Sequence, residues 1–262
     1  MRPRLSPFTG QSTRRRCNIS PAPYPDPRRR LKAWAKQRLG AVGSVTSLTD
    51  LPGRAVLTFD DGPDPETTPR LLDALAEHGA TATFFVLADP VRAHPEVLRR
   101  VVREGHHVAL HGLDHRRLPQ LGSRAALAWL RESRSLVEQA IERPVTHFRP
   151  PHGAQSPRTW SMARALGLRV VLWDGTTWDW REATPEERVA KALESARPGS
   201  ILLAHDGAHH EPGTPEPARD VDKVTLLHDV VAAYGVRGLR FVSLEDALAD
   251  GARMVLEPSF SR

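Results

Sequence analysis

The sequence predicts an α/β fold, a parallel sheet with helices outside, curled into a closed or nearly closed barrel; an open doubly wound sheet is the alternative. Three observations predict it. Strand-like apolar runs alternate with helix-like runs about seven times from residue 51 onward. Glycines follow the ends of four helical runs, where a chain leaving a helix favours them. The residue types suited to chemistry fall just after strand-like runs, the end of a barrel where active-site groups collect.

The strand-like runs are 55–59, 81–86, 107–111, 146–149, 168–173, 200–205 and 239–243. Between them, 66–78 places Leu71, Leu72 and Leu75 on one helical face, and 95–104 does the same with Val97, Leu98, Val101 and Val102. Further helical runs fall near 123–142, 157–166, 185–197 and 222–234, with a short one at 244–250. Gly79, Gly105, Gly167 and Gly235 mark four helix ends. Thr184 is a plausible N-cap, followed by Glu186 and Glu187 in the first turn. The stretch 206–220 reads as a long loop, and loops of that length are usually functional or mobile.

Composition bounds the remaining possibilities. The 262 residues suit one large α/β domain or two small ones. A lone cysteine, Cys17, forbids an intrachain disulfide, and no apolar run is long enough to span a membrane. The net charge of +6 is unevenly placed: residues 1–50 hold 11 Lys/Arg against 2 Asp/Glu, and the remainder is slightly acidic. Residues 1–50 therefore read as a basic, Pro/Arg-rich, largely disordered extension, and 51–255 as the folded domain. Arg14-Arg15-Arg16 and Arg28-Arg29-Arg30 suit a nucleic acid or anionic lipid, but an acidic domain makes nucleic acid no obligatory partner. No apolar core follows the arginine triplet, so an export signal is not read and a cytoplasmic protein is expected. A cell-wall substrate would instead demand export. Oligomeric state is not legible.

Five clusters carry chemistry. Asp60 and Asp61 close the run Ala55-Val56-Leu57-Thr58-Phe59 and precede Gly62-Pro63. Neighbours on an extended chain point in different directions, so one carboxylate can ligate a cation while the other stays free as a base. His111 and His115 have the i, i+4 spacing that puts two imidazoles on one side of a helical turn. With an aspartate they offer two nitrogens and one oxygen, a set that suits zinc and also cobalt, nickel or iron. Phe148-Arg149-Pro150-Pro151-His152-Gly153 is stiffened by proline; Arg149 can hold a carboxylate, and the segment can aim an N–H at an oxyanion. Trp173, Trp178 and Trp180 lie beside Asp174 and Asp179, a composition suited to sugar rings and hydroxyls, although Trp173 reads better as barrel-rim packing. His205 ends the apolar run Ile201-Leu202-Leu203-Ala204, placed to give a proton to a leaving amine, with Asp179 or Asp206 to orient it.

Taken in order, these segments resemble the polysaccharide deacetylases, the NodB-like carbohydrate esterases that remove N-acetyl groups from chitin, peptidoglycan and related glycans. Five motifs match over about residues 54–245, and Thr58-Phe59-Asp60-Asp61-Gly62-Pro63 is the most specific. The resemblance implies a distorted (β/α) barrel of seven or eight strands. It implies Asp60 as general base, Asp61, His111 and His115 as metal ligands, and Arg149 as the residue that orients Asp60. It further implies His205 as general acid tuned by Asp179, and His152, through its N–H, at the oxyanion, with Trp180 facing substrate. Three positions depart from the family pattern: Gly112 replaces Ser or Thr, His152 replaces Tyr, and Thr176 replaces Asp.

The expected activity is metal-dependent hydrolysis, with a divalent metal as cofactor (zinc, or cobalt or another transition metal), on an N-acetylated sugar or polysaccharide. The alternative is amide hydrolysis on a small non-sugar or cyclic amide. A glycan binder without turnover would need no paired base and acid, which weighs against it.

Overall fold

The computed structural model describes residues 43–207 and 221–258. The basic extension up to residue 42, with Cys17 and both arginine triplets, lies outside the described residues, as does the expected loop from residue 208 to 220.

Ten strands and eight α-helices follow one another among the described residues. They run β1 (Ser44–Thr49), β2 (Arg54–Asp60), α1 (Thr67–Glu77), β3 (Thr83–Leu87), α2 (Ala88–Ala93), α3 (Pro95–Arg103) and β4 (His107–Gly112). Next come α4 (Ser123–Ile141), β5 (His147–Phe148), α5 (Pro157–Ala165), β6 (Arg169–Val170), β7 (Gly175–Thr176), α6 (Pro185–Glu194) and β8 (Ile201–His205). The chain closes with α7 (Lys223–Val236), β9 (Arg240–Val242), α8 (Leu244–Ala249) and β10 (Arg253–Glu257). Thr184 caps α6 as expected: its hydroxyl accepts from Glu187 N, and Glu187 Oε2 accepts from Thr184 N.

Seven parallel strands hydrogen-bond in the order β6-β5-β4-β3-β2-β8-β7, and β9 adds an eighth against β2. The path ends at β6 and β7 without joining them, so the barrel is curled but incomplete. β1 crosses that seam, with bridges Val45 to Val171 and Ser47 to Ser200, and pairs antiparallel with β10. Folded structure therefore begins before residue 51, where the sequence reading placed the end of the extension. The six residues of β1 are mostly Ser and Thr, which hides their burial from a hydropathy reading.

Side-chain alternation sorts the strands into two cores. Leu57 and Phe59 of β2 pack outward beneath the helices with Leu71, Leu75 and Phe84. Val56 faces the barrel interior with Phe85, Ala109, Val171 and Ile201. Thr58 and Asp60 share the register of Val56 and so also face the interior. The inner core is small and occupies the bottom of the barrel, which leaves the upper interior to polar groups.

Two local expectations are corrected. Gly79, Gly105 and Gly167 do take left-handed φ after their helices, but Gly235 lies inside α7, and Gly238 makes the turn instead. The helix α2, which begins directly at the end of β3, is not among the helical runs read from the sequence; Pro90 interrupts its pattern.

Candidate active site

Strand register assembles the upper interior. Asp60 stands opposite His205 across β2 and β8, and Leu110 opposite Phe148 across β4 and β5. The latter pairing brings His111 level with Arg149, whose N–H donates to the Leu110 carbonyl.

Arg149 is fully buried. Its Nη1 donates to Asp60 Oδ1 at 2.7 Å and to Thr58 Oγ1 at 2.8 Å. Nη2 donates to the Leu172 carbonyl at 2.8 Å and Nε to the Val171 carbonyl at 3.3 Å. The guanidinium also lies over the Phe85 ring, 4.0 Å from its centroid. Burial pulls the Arg149 pKa down, opposed by the charge of Asp60, and the group remains a cation. Asp60 thus has one oxygen committed to a fixed cation, while its Oδ2 faces His111 Nε2 at 3.8 Å.

Asp61 points elsewhere, as adjacent residues do. Its backbone has φ 80, a left-handed conformation rare outside glycine. Nε2 of His111 and Nε2 of His115 each lie 3.3 Å from Asp61 Oδ1. That oxygen is buried without a hydrogen bond. Burial alone would push the Asp61 carboxyl up, but the close His111 imidazole and the charges of His205 and His115 hold it well below the usual carboxylate range. One oxygen and two nitrogens lie within 4.8 Å of one another.

The two histidines do not share a helical turn, which corrects the reading of their spacing. His111 is within β4 and His115 lies in the turn beyond it. Gly112 makes that turn with φ 138, and a Cβ there would overlap Trp129 of α4. Trp129 Nε1 donates to Asp114 Oδ1 at 3.0 Å, tying the turn to the helix. His111 Nδ1 donates to the Arg149 carbonyl at 2.8 Å, which fixes the tautomer and leaves Nε2 as a lone-pair donor. A buried oxygen without a hydrogen bond, beside the lone pair of His111 Nε2 and the ring of His115, fits a divalent transition-metal cation.

On the facing side, Asp179 grips His205 twice. Its Oδ2 accepts from the His205 backbone N–H at 2.7 Å and its Oδ1 from Nδ1–H at 2.8 Å. Burial would lower the His205 pKa, but Asp179, with Asp61 and Asp60 behind it, raises it to about 9. Asp179 itself, despite burial, is held below its usual range by His205. The indole of Trp180 meets the His205 ring edge-on with centroids 5.1 Å apart and is 38% exposed.

His152 has φ 59, and its ring packs on His115 with centroids 4.2 Å apart. Trp173 packs against the inner core, as rim packing predicts. Asp174 is turned away: its Oδ1 accepts from Ile201 N, and it pairs with Arg197. Asp206 does not orient His205. Its carboxylate accepts from Gly62 N at 3.1 Å and from Thr68 Oγ1 at 2.6 Å. Burial pushes its pKa up to about 7. Thr58, Thr68 and Trp129 received no role from the sequence, because a buried hydroxyl or indole carries no signal until its partner is known. His107 and His147, at the opposite ends of β4 and β5, are core residues, pushed by burial down to about 4 and about 3.

The polysaccharide deacetylase family model matches residues 49–171. A chitooligosaccharide deacetylase of Sinorhizobium fredii is 40% identical over 152 residues, covering 58% of this chain and 71% of the relative. One from Azorhizobium caulinodans is 32% identical over 203 residues, covering 76% and 97%. The solved structure of T48 deacetylase with substrate superposes with TM-score 0.65 at 34% identity, over 79% of this chain and 96% of that one.

Proposed function

The chain belongs to the polysaccharide deacetylase family, and on that premise we propose that Asp61, His111 and His115 hold a zinc ion while Asp60 and His205 serve as base and acid in deacetylating a chitin-type oligosaccharide. The protein is a hydrolase that removes N-acetyl groups from sugars, and enzymes of this family depend on a divalent metal. The observation that carries the residue assignment is Asp61 Oδ1, buried without a hydrogen bond and 3.3 Å from two imidazole nitrogens.

When bound there, the cation supplies a Lewis acid that acidifies a water and polarises the amide carbonyl. Asp60, kept ionised and oriented by Arg149, takes the proton of the attacking water. The N–H of His152 faces the oxygen that gains charge. His205, held as imidazolium by Asp179, gives its proton to the departing nitrogen as the C–N bond breaks. The products are acetate and a free amino sugar. Trp180 offers an indole face for a sugar ring.

Among the described residues, no helix is long and apolar enough to cross a membrane. The catalytic unit is proposed to run from β1 to β10, because those two strands pair with each other and β1 covers the barrel seam.

The reading is tested by acetate release from N-acetylglucosamine oligomers against simple and cyclic amides, with zinc-loaded protein. Release from the oligomers, together with an equal yield of primary amine, supports it. Turnover confined to the simple amides would replace the glycan with a small substrate.

A further inference from the structure

Resting on the proposal that Asp61 holds the cation, we propose that Asp206 and Thr68 are positioning residues that set the backbone of Asp61 and thereby the affinity of the metal site.

A non-glycine residue at φ 80 is strained and persists only where its surroundings impose it. Both peptide groups that define the Asp61 backbone are tied to Asp206. The carbonyl of Asp60, before Asp61, accepts from Asp206 N at 3.1 Å. The N–H of Gly62, after Asp61, donates to Asp206 Oδ1 at 3.1 Å. The Gly62 carbonyl accepts from Leu87 N at 3.0 Å, so β3 holds the same turn from its far side.

Thr68 completes the clamp. Its hydroxyl donates to Asp206 Oδ2 at 2.6 Å and accepts from Asp64 N at 2.8 Å. Asp64 Oδ1 in turn accepts from Thr67 N at 2.7 Å, which joins the turn to the start of α1. Asp206 and Thr68 are 1% and 0% exposed, so no water replaces a lost contact without rearrangement. A Cβ on Gly62 would overlap the Asp206 carboxylate, which shows how closely carboxylate and turn are fitted. Because Asp206 follows His205 directly, the end of β8 carries the acid on one residue and the clamp on the next.

The test uses the full-length protein, stripped of metal and titrated with zinc against a competing chromophoric chelator. Asp206→Asn keeps the volume but cannot accept from both Gly62 and Thr68. Thr68→Val removes the hydroxyl, and Thr68→Ser keeps it. The expected result is zinc affinity about 10- to 100-fold weaker for Asp206→Asn and Thr68→Val, the range for residues that orient metal ligands, with Thr68→Ser within threefold of the wild type. Losses smaller than tenfold overturn the proposal even if thermal stability falls, since that is what a merely structural contact would do. Equal losses for Thr68→Ser and Thr68→Val overturn the role of the hydroxyl. Should Asp206→Asn fail to fold by circular dichroism, Thr68→Val and Thr68→Ser decide alone. A wild-type protein that takes up no zinc overturns the metal reading and this proposal with it, whereas equal uptake by wild type and variants overturns the positioning alone.

Discussion

Arg149 Nη1 lies 2.7 Å from Asp60 Oδ1, with the guanidinium fully buried. Removing one partner of a buried pair leaves the other charge without compensation, at a cost of about 3–5 kcal/mol. Arg149→Met is therefore expected to lose that much stability in denaturant unfolding. It is also expected to lose acetate release by about 10²-fold or more, the lower end of what a positioned base contributes. Arg149→Met combined with Asp60→Asn should regain part of the stability and none of the activity. A single variant as stable as the wild type would show the pair to be dispensable.

The pH dependence follows from His205. Its folded pKa is raised to about 9, so the acid form persists through neutrality, and the rate should fall as pH rises through about 9. The main raising cause is Asp179, so Asp179→Asn should shift that alkaline limb to lower pH. For stability the sign is the same: a raised folded pKa contributes fully below the unfolded value of about 6.5 and is lost as pH approaches 9. Rate profiles and unfolding midpoints between pH 6 and 10 check both. An alkaline limb unmoved in Asp179→Asn would remove His205 from the acid role.

Gly112 stands where the resembled family has Ser or Thr, and restoring that residue should harm this protein. With φ 138 and Trp129 filling the Cβ position, Gly112→Ser is expected to cost about 1–3 kcal/mol by overpacking, and to weaken zinc binding through the displaced turn. Trimming the indole with Trp129→Leu in the same chain should return part of the zinc affinity. Unfolding midpoints and chelator competition measure the two effects. A Gly112→Ser protein as stable and as tight as the wild type would contradict the account of this turn.

Much of this structure was legible because continuous apolar runs ending in polar clusters mark barrel strands. The run from Ala55 to Phe59 and the acids after it predicted both the strand and the mouth. What stayed hidden lacked hydropathy contrast. β7 has two residues, Gly175–Thr176, and β10 is mostly half-exposed. β1 is rich in Ser and Thr, yet it crosses the seam, bridging to Val171 on one side and Ser200 on the other. The i, i+4 spacing of His111 and His115 pointed to a helix, but a strand followed by a glycine turn brings imidazoles together equally well. Asp206 and Thr68 were illegible in role because their partners lie 144 and 138 residues away in sequence.

Metal removal separates the ligands from the base. Protein dialysed against a chelator should release no acetate, and zinc should restore release. Zinc at about 100-fold its dissociation constant should stabilise the fold by about 2.7 kcal/mol. His111→Ala should lose both the activity and this stabilisation, read as a thermal shift. If His111→Ala keeps the zinc-dependent shift, the cation sits elsewhere.

The division of labour between the two neighbouring aspartates is tested most directly in Asp60→Asn, by counting bound zinc and acetate released from N-acetylglucosamine oligomers in one preparation. One zinc per chain with acetate release reduced at least about 10²-fold is the predicted result. Zinc lost together with activity, or turnover close to that of the wild type, would contradict it.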